Sequence, residues 1–247
     1  MPTQPTEASQ RAAARIAGVV FLITVVGWTL NWVFVDSKIV VAGDAAKTLA
    51  NLRADEFLFR LGLANELLFA CCGIVLAFAL FVIMERVNRN LAMLALGLKL
   101  VEAVLGSSLV LSGYIGLRML NATAAPLDEA IGQFLTVRST GMTVVMVFLG
   151  LDLVLFFSLL FKSRYVPRAL SALGVFSYAL ILVQSVIGLL VPAGGAAQTM
   201  VTTMSMALFA PSVLFELLIG GWLLIKGLKL DPAGTLHSPR AMALPSA

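Results

Sequence analysis

Apolar residues run in six long blocks, at about 14–35, 58–84, 91–119, 138–161, 169–191 and 202–225, each bounded by charged or small polar positions. A helix needs roughly 20 apolar residues to cross a hydrocarbon core of about 30 Å, and every block meets that length. None alternates apolar with polar positions, which excludes membrane strands. The pattern predicts an all-α fold, a polytopic membrane helix bundle with six transmembrane helices. Residues 1–13 form a short N-terminal segment, 14–230 the membrane domain and 231–247 a tail. The tail's prolines and scarce apolar residues predict disorder. The first block is longer than a signal-peptide core and no small-x-small cleavage site closes it, so it reads as a span.

Positive charge resists translocation, so the Lys and Arg of the connections set the orientation. One side carries Arg11, Arg15, Arg86, Arg89, Lys162, Arg164, Arg168, Lys226, Lys229 and Arg240; the other carries Lys38, Lys47 and Arg53. Both termini are therefore expected in the cytoplasm, with the protein in the cytoplasmic (inner) membrane. Within the sizeable loop from Asp36 to Glu56, the spacing of Ala45, Leu49, Leu52 and Glu56 predicts a short helix lying at the outer interface, a linker packed on lipid headgroups.

Composition narrows the chemistry. Of 247 residues, 60% are hydrophobic and 12% charged, and the mean hydropathy is +0.99. A globule of this size needs a polar skin that this chain lacks, so its solvent is lipid. The net charge of +4 is scattered between the spans and forms no basic stripe, which excludes nucleic acid as a partner. Cys71 and Cys72 are adjacent, and the single histidine, His237, sits in the tail. That leaves no disulfide framework, metal-ligand spacing or haem ligand, and no Ser-His catalysis within the spans. No metal or cofactor is expected. An enzyme working through Glu102 or Glu216 as acid and base would lack a positioned nucleophile, so catalysis is disfavoured.

Ionisable residues inside the spans carry the functional reading, because a charge in hydrocarbon is costly and is kept for a reason. At about 1.5 Å per residue, Lys99, Asp152 and Glu216 each lie about 15 Å from the basic anchors Arg89, Lys162 and Lys226. Equal depth predicts a mid-membrane layer, to which Glu102 adds a third carboxyl on the same helix face as Lys99. Three carboxyls against one ammonium favour at least one protonated carboxyl. A structural role for this layer is an interhelical ion pair that fixes packing. Nearer the outside lie Asn65 and Glu66, with Arg60, Arg118 and Arg138 as an outer rim. Arginines near helix ends are satisfied cheaply by snorkelling to the headgroups. Glu66, Glu102 and Glu216 are each followed at i+4 by a small residue, Ala70, Gly106 and Gly220, which leaves a gap one turn along the same face. The likeness of spans three and six is what an inverted repeat would leave. Pro211 predicts a kink or wider gap in span six, and Trp28 and Trp32 read as interfacial aromatics.

Four stretches resemble a known family: Arg15-Ile-Ala-Gly18, Lys99-Leu-Val-Glu102-Ala-Val, Tyr165-Val-Pro167-Arg168-Ala-Leu-Ser-Ala-Leu-Gly174, and Pro211-Ser-Val-Leu-Phe-Glu216-Leu-Leu-Ile-Gly220-Gly-Trp222-Leu-Leu-Ile-Lys226-Gly227. Over about residues 11–230 the chain is similar to the bacterial family called domain of unknown function 4386, and the last stretch is the most specific. The resemblance implies a six-span membrane protein, and no catalytic residue comes with it. Where the family more often has arginine before the span-three glutamate, this chain has Lys99, which keeps the charge and loses the bidentate fork.

The expected function is binding or transport of a small solute, lipid or proton through the layer of Lys99, Glu102, Asp152, Glu216, Glu66 and Asn65. The alternative is a non-catalytic accessory protein acting through a protein partner or a second copy of itself. A continuous cavity reaching Glu102 or Glu216 would favour the first, and direct Lys99 pairing without open volume the second.

Overall fold

The computed structural model describes residues 6–41, 44–120, 127–191 and 196–230; the tail for which disorder is expected lies outside them. All secondary structure among the described residues is helical. α1 (Glu7–Asn31) starts on a Thr6 cap, whose hydroxyl accepts from Ser9 N at 3.2 Å, and runs on through a π-helical turn at Trp32–Asp36 to Ile39. α2 (Ala45–Ala54) is the expected loop helix. α3 (Glu56–Met119), α4 (Leu127–Ser163), α5 (Arg168–Leu190) and α6 (Ala196–Ile225) complete the chain order. Among the described residues five helical stretches are long and apolar enough to cross a membrane: Glu7–Ile39, Glu56–Met119, Asp128–Ser163, Arg168–Leu190 and Leu208–Ile225.

The stretch Glu56–Met119 covers two of the six apolar blocks and is interrupted at Asn88. A straight helix of 64 residues would be about 96 Å long, three times the hydrocarbon thickness. Asn88 has extended backbone (φ −160°, ψ 101°), and its side-chain oxygen accepts from Leu91 N at 3.0 Å, which caps a fresh helix start. α3 is thus two arms, 56–87 and 89–119. They touch along their length: a Cβ on Gly113 would lie 2.8 Å from Leu63, and one on Gly73 3.5 Å from the Lys99 stem.

The helices pack in chain order and close on themselves, α1 against α3, α3 against α4, α4 against α5, α5 against α6 and α6 against α1. At the end that carries α1's start, Gln10 donates to Ile83 O, and Lys229 N donates to Tyr165 O. Lipid tails are as apolar as leucine, so such helices associate through close packing at small residues. Gly18 and Gly220 bring α1 and α6 together; a Cβ on Gly18 would stand 2.9 Å from the Gly220 carbonyl oxygen. Gly150 does the same for α4 and α5, where a Cβ would stand 2.9 Å from Leu182 Cα. The periphery is covered by exposed Ile23, Val26, Phe57, Phe78, Val104, Phe176 and Leu214, a surface suited to lipid. Helix α6 continues unbroken through Pro211, where the Ser212 hydroxyl donates to Phe209 O.

At the opposite end, Leu49 and Leu52 of α2 are buried with Val35, Ile39, Phe59, Leu63, Leu117 and Ile131. The loop helix therefore packs its leucine face on the bundle itself. Two leucines three residues apart on one face found a protein surface to cover, and the Arg53–Asp128 ion pair ties the same helix to α4.

Candidate functional site

The polar layer expected around Lys99 is assembled from four helices. From the second arm of α3, Lys99 Nζ donates to Glu102 Oε2 at 2.6 Å and stands 3.6 Å from Asp152 Oδ2 of α4. Three residues apart on one helix, Lys99 and Glu102 share a face, so their contact is local. Asp152 reaches them because α4 packs along that arm; it is wholly buried, and neither of its carboxylate oxygens has a hydrogen-bond partner. Glu216 of α6 takes its hydrogen bond from the hydroxyl of Tyr178 on α5.

Tyr178 is not among the residues that the sequence singles out, although a signal for it exists. It lies ten residues beyond Arg168, the same offset that separates Lys99, Asp152 and Glu216 from their own basic anchors. Its ring is held by aromatic packing, stacked on Phe157 at 5.5 Å and edge-on to Phe215 at 6.1 Å. Phe157 and Phe215 meet in a T-shape at 4.6 Å, a favoured aromatic geometry. Buried rings on three helices thus fix where the hydroxyl points.

A second polar level lies nearer the opposite end. Gly73 of the first α3 arm sits beside the Lys99 stem, and Glu66 stands seven residues, about 10 Å, further along that arm. Arg138 of α4 grips Glu66 with both terminal nitrogens, Nη1 at 2.6 Å from Oε2 and Nη2 on Oε1. Its guanidinium also lies 5.5 Å from the Phe59 ring centre. Asn65 donates to Gly27 O at 3.2 Å and to Asn31 Oδ1 at 3.4 Å. Asn31 in turn donates to Asp36 at 3.3 Å and Glu66 at 3.5 Å. Asn31 and Asp36 are five residues apart, a spacing that a π-helical turn brings onto one face and an α-helix does not.

The three arginines expected to form an outer rim divide. Arg138 points inward and is paired, where snorkelling was the simpler expectation, because Glu66 on the neighbouring helix offers a buried carboxylate that matches its fork. Arg60 pairs with Glu56 one turn away on its own helix and stays exposed. Arg118 is exposed and has no ion pair among the described residues. Trp28 stacks on Phe69 at 5.9 Å and stays exposed.

Between the two levels lies a cavity of about 150 Å³, the volume at which an engineered apolar cavity accepts a benzene-sized guest. α1, both arms of α3, α4, α5 and α6 all contribute to its wall. Lys99, Glu102, Tyr178 and Glu216 line it at one level and Glu66 at the other, together with Phe21, Trp28 and Phe69. Ala70 and Gly106, the small residues one turn after Glu66 and Glu102, also line it, and a Cβ on Gly106 would meet no atom within 4 Å. The gap after Glu216 is used differently, because Gly220 receives Leu22 and Gly18 of α1. No three His, Cys, Asp or Glu side chains among the described residues converge as a metal site would require.

No curated protein and no solved structure matches the chain. A family model does, the one described as Domain of unknown function (DUF4386), over residues 16–227, a stretch that contains both polar levels and every residue lining the cavity. The chain therefore belongs to the DUF4386 family.

Proposed function

We propose that this protein is a six-span inner-membrane protein, the break at Asn88 dividing α3 into two spans, with both termini in the cytoplasm. Its work in this reading is to bind and move a small solute or proton between the two polar levels. The observation that carries the proposal is the cavity itself. A packing role for Lys99, Glu102 and Glu216 would leave no open volume beside them, whereas here all three border one. A whole lipid exceeds the volume, so the solute is compact. The Arg138–Glu66 pair stands at the end nearer the outside and would have to open for passage. The rival accessory role draws support from the direct Lys99 contacts, which would stabilise the bundle whether or not anything binds.

Gly106→Leu separates the two. The substitution fills open space and replaces glycine in a helix interior, so the fold should be as stable or more so. Mass spectrometry of small molecules retained by the full chain in mild detergent should find a species on the wild type that the variant has lost. Identical inventories from two equally stable proteins would refute the binding reading and favour the accessory one.

A further inference from the structure

We infer that the solute accepted by this cavity is a small organic monocation, an ammonium carried on a compact apolar body, which enters in exchange for a proton; the inference rests on the binding reading above. Charge comes first. The mid-membrane level has three carboxyls, Glu102, Asp152 and Glu216, and one ammonium, Lys99. Fully ionised it would hold a net charge of −2, the three negative groups less the one positive, in a hydrocarbon interior that tolerates no such excess. The empty site must therefore hold protons, and a bound cation can take the place of one of them.

The partners of each group point the same way. Lys99 is already engaged by Glu102 and Asp152, so it has no free charge to offer an anion. Asp152 is fully buried with both oxygens lacking a hydrogen bond and with Lys99 at 3.6 Å, an acceptor still short of donors. Glu216 is held by the Tyr178 hydroxyl, which supplies a hydrogen bond and no charge. Facing Glu216 across the cavity, the second arm of α3 presents Lys99 and Glu102, with Asp152 of α4 behind them, and the first arm presents Glu66 at the far level. From α1 come Phe21, Thr24 and Trp28, none of them titratable.

The walls select the kind of cation. A divalent metal needs several oxygens converging on one point, which these carboxyls do not provide. The aromatic side chains of Phe21, Trp28, Phe69 and Tyr178 in the wall suit an organic ammonium, whose charge such rings attract while its apolar body replaces contacts that water would make poorly.

Benzylammonium, benzyl alcohol and benzoate share size and ring and differ in charge. Each is titrated calorimetrically into the full chain in mild detergent, in two buffers of different ionisation enthalpy, with Gly106→Leu as the blank. Benzylammonium should bind at least about tenfold more tightly than the alcohol, with release of close to one proton, and benzoate should not bind. Glu216→Gln should weaken benzylammonium by about tenfold or more and reduce the proton release, while Tyr178→Phe, which keeps the ring, should retain the preference for the cation. Should Glu216→Gln not fold, the three wild-type titrations decide alone. Equal binding of alcohol and ammonium, or a preference for benzoate, overturns the cation assignment and leaves the binding reading standing. Absence of heat from all three also overturns it, and the retained-molecule comparison with Gly106→Leu then tells whether the binding reading falls too.

Discussion

Removing the one ammonium of the level that holds Glu102, Asp152 and Glu216 tests how its charges are held. Lys99→Met keeps an unbranched stem of similar length and deletes the charge. Two carboxyls lose their partner, Glu102, which accepted a hydrogen bond at 2.6 Å, and Asp152, an ion pair at 3.6 Å. Breaking a buried ion pair from one side costs about 3–5 kcal/mol, because the remaining charge is left uncompensated. At about 2–4 °C per kcal/mol for a chain of this size, the melting temperature in mild detergent should fall by about 6–20 °C. The two carboxyls are not equivalent. By distance alone the attraction of Asp152 to Lys99 is about 0.7 of that of Glu102, the ratio of 2.6 to 3.6 Å. Asp152 is also wholly buried and has no hydrogen bond to offset its desolvation. Asp152→Leu should therefore be close to neutral or stabilising, while Glu102→Leu is the more costly of the two. The triple variant Lys99→Met, Glu102→Leu, Asp152→Leu should recover most of what Lys99→Met loses, since apolar replacement of a whole buried ionic group is often neutral or better. Thermal unfolding of the four variants beside the wild type is the assay. A triple variant no more stable than Lys99→Met would refute the reasoning, as would an Asp152→Leu loss larger than that of Glu102→Leu.

The packing sets two further outcomes. Arg138→Lys keeps the charge and loses the two-pronged grip on Glu66, so it should cost about 1.5–3 kcal/mol, one charged hydrogen bond, in the same unfolding assay; an unchanged melting temperature would mean the fork contributes nothing. Alanine at two glycines should act with opposite signs: Gly18→Ala drives a Cβ to 2.9 Å from the Gly220 carbonyl and should cost about 1–3 kcal/mol, while Gly106→Ala meets open space and should gain about 0.5–1 kcal/mol. Equal effects at both would contradict the α1–α6 close approach.

What the sequence determined by itself is whatever depends on one segment and its solvent. Block length against bilayer thickness gave all-helical membrane segments, and the apolar blocks at 58–84 and 91–119 already separated the arms that the 64-residue α3 joins, because Asn88 lies among the polar residues between them. Depth was equally legible, since rise per residue converts position into height without reference to any neighbour. Lys99, Asp152 and Glu216 fall on one level that way, and the same arithmetic applied to Arg168 would have added Tyr178. Tertiary structure decided everything that depends on which helix stands beside which and how each is rotated. That Lys99 meets Asp152 while Glu216 meets Tyr178, that Arg138 turns inward to Glu66 while Arg118 stays exposed, and that α2 lays its leucines on the bundle are all relations between distant segments. Asn31 and Asp36 could not be paired from an α-helical period, because a π-helical turn sets their spacing. The cavity is the furthest from the sequence, for open volume is a property of six packed faces at once, and the glycine that opens onto it at Gly106 reads no differently along the chain from the one at Gly220 that is filled by α1.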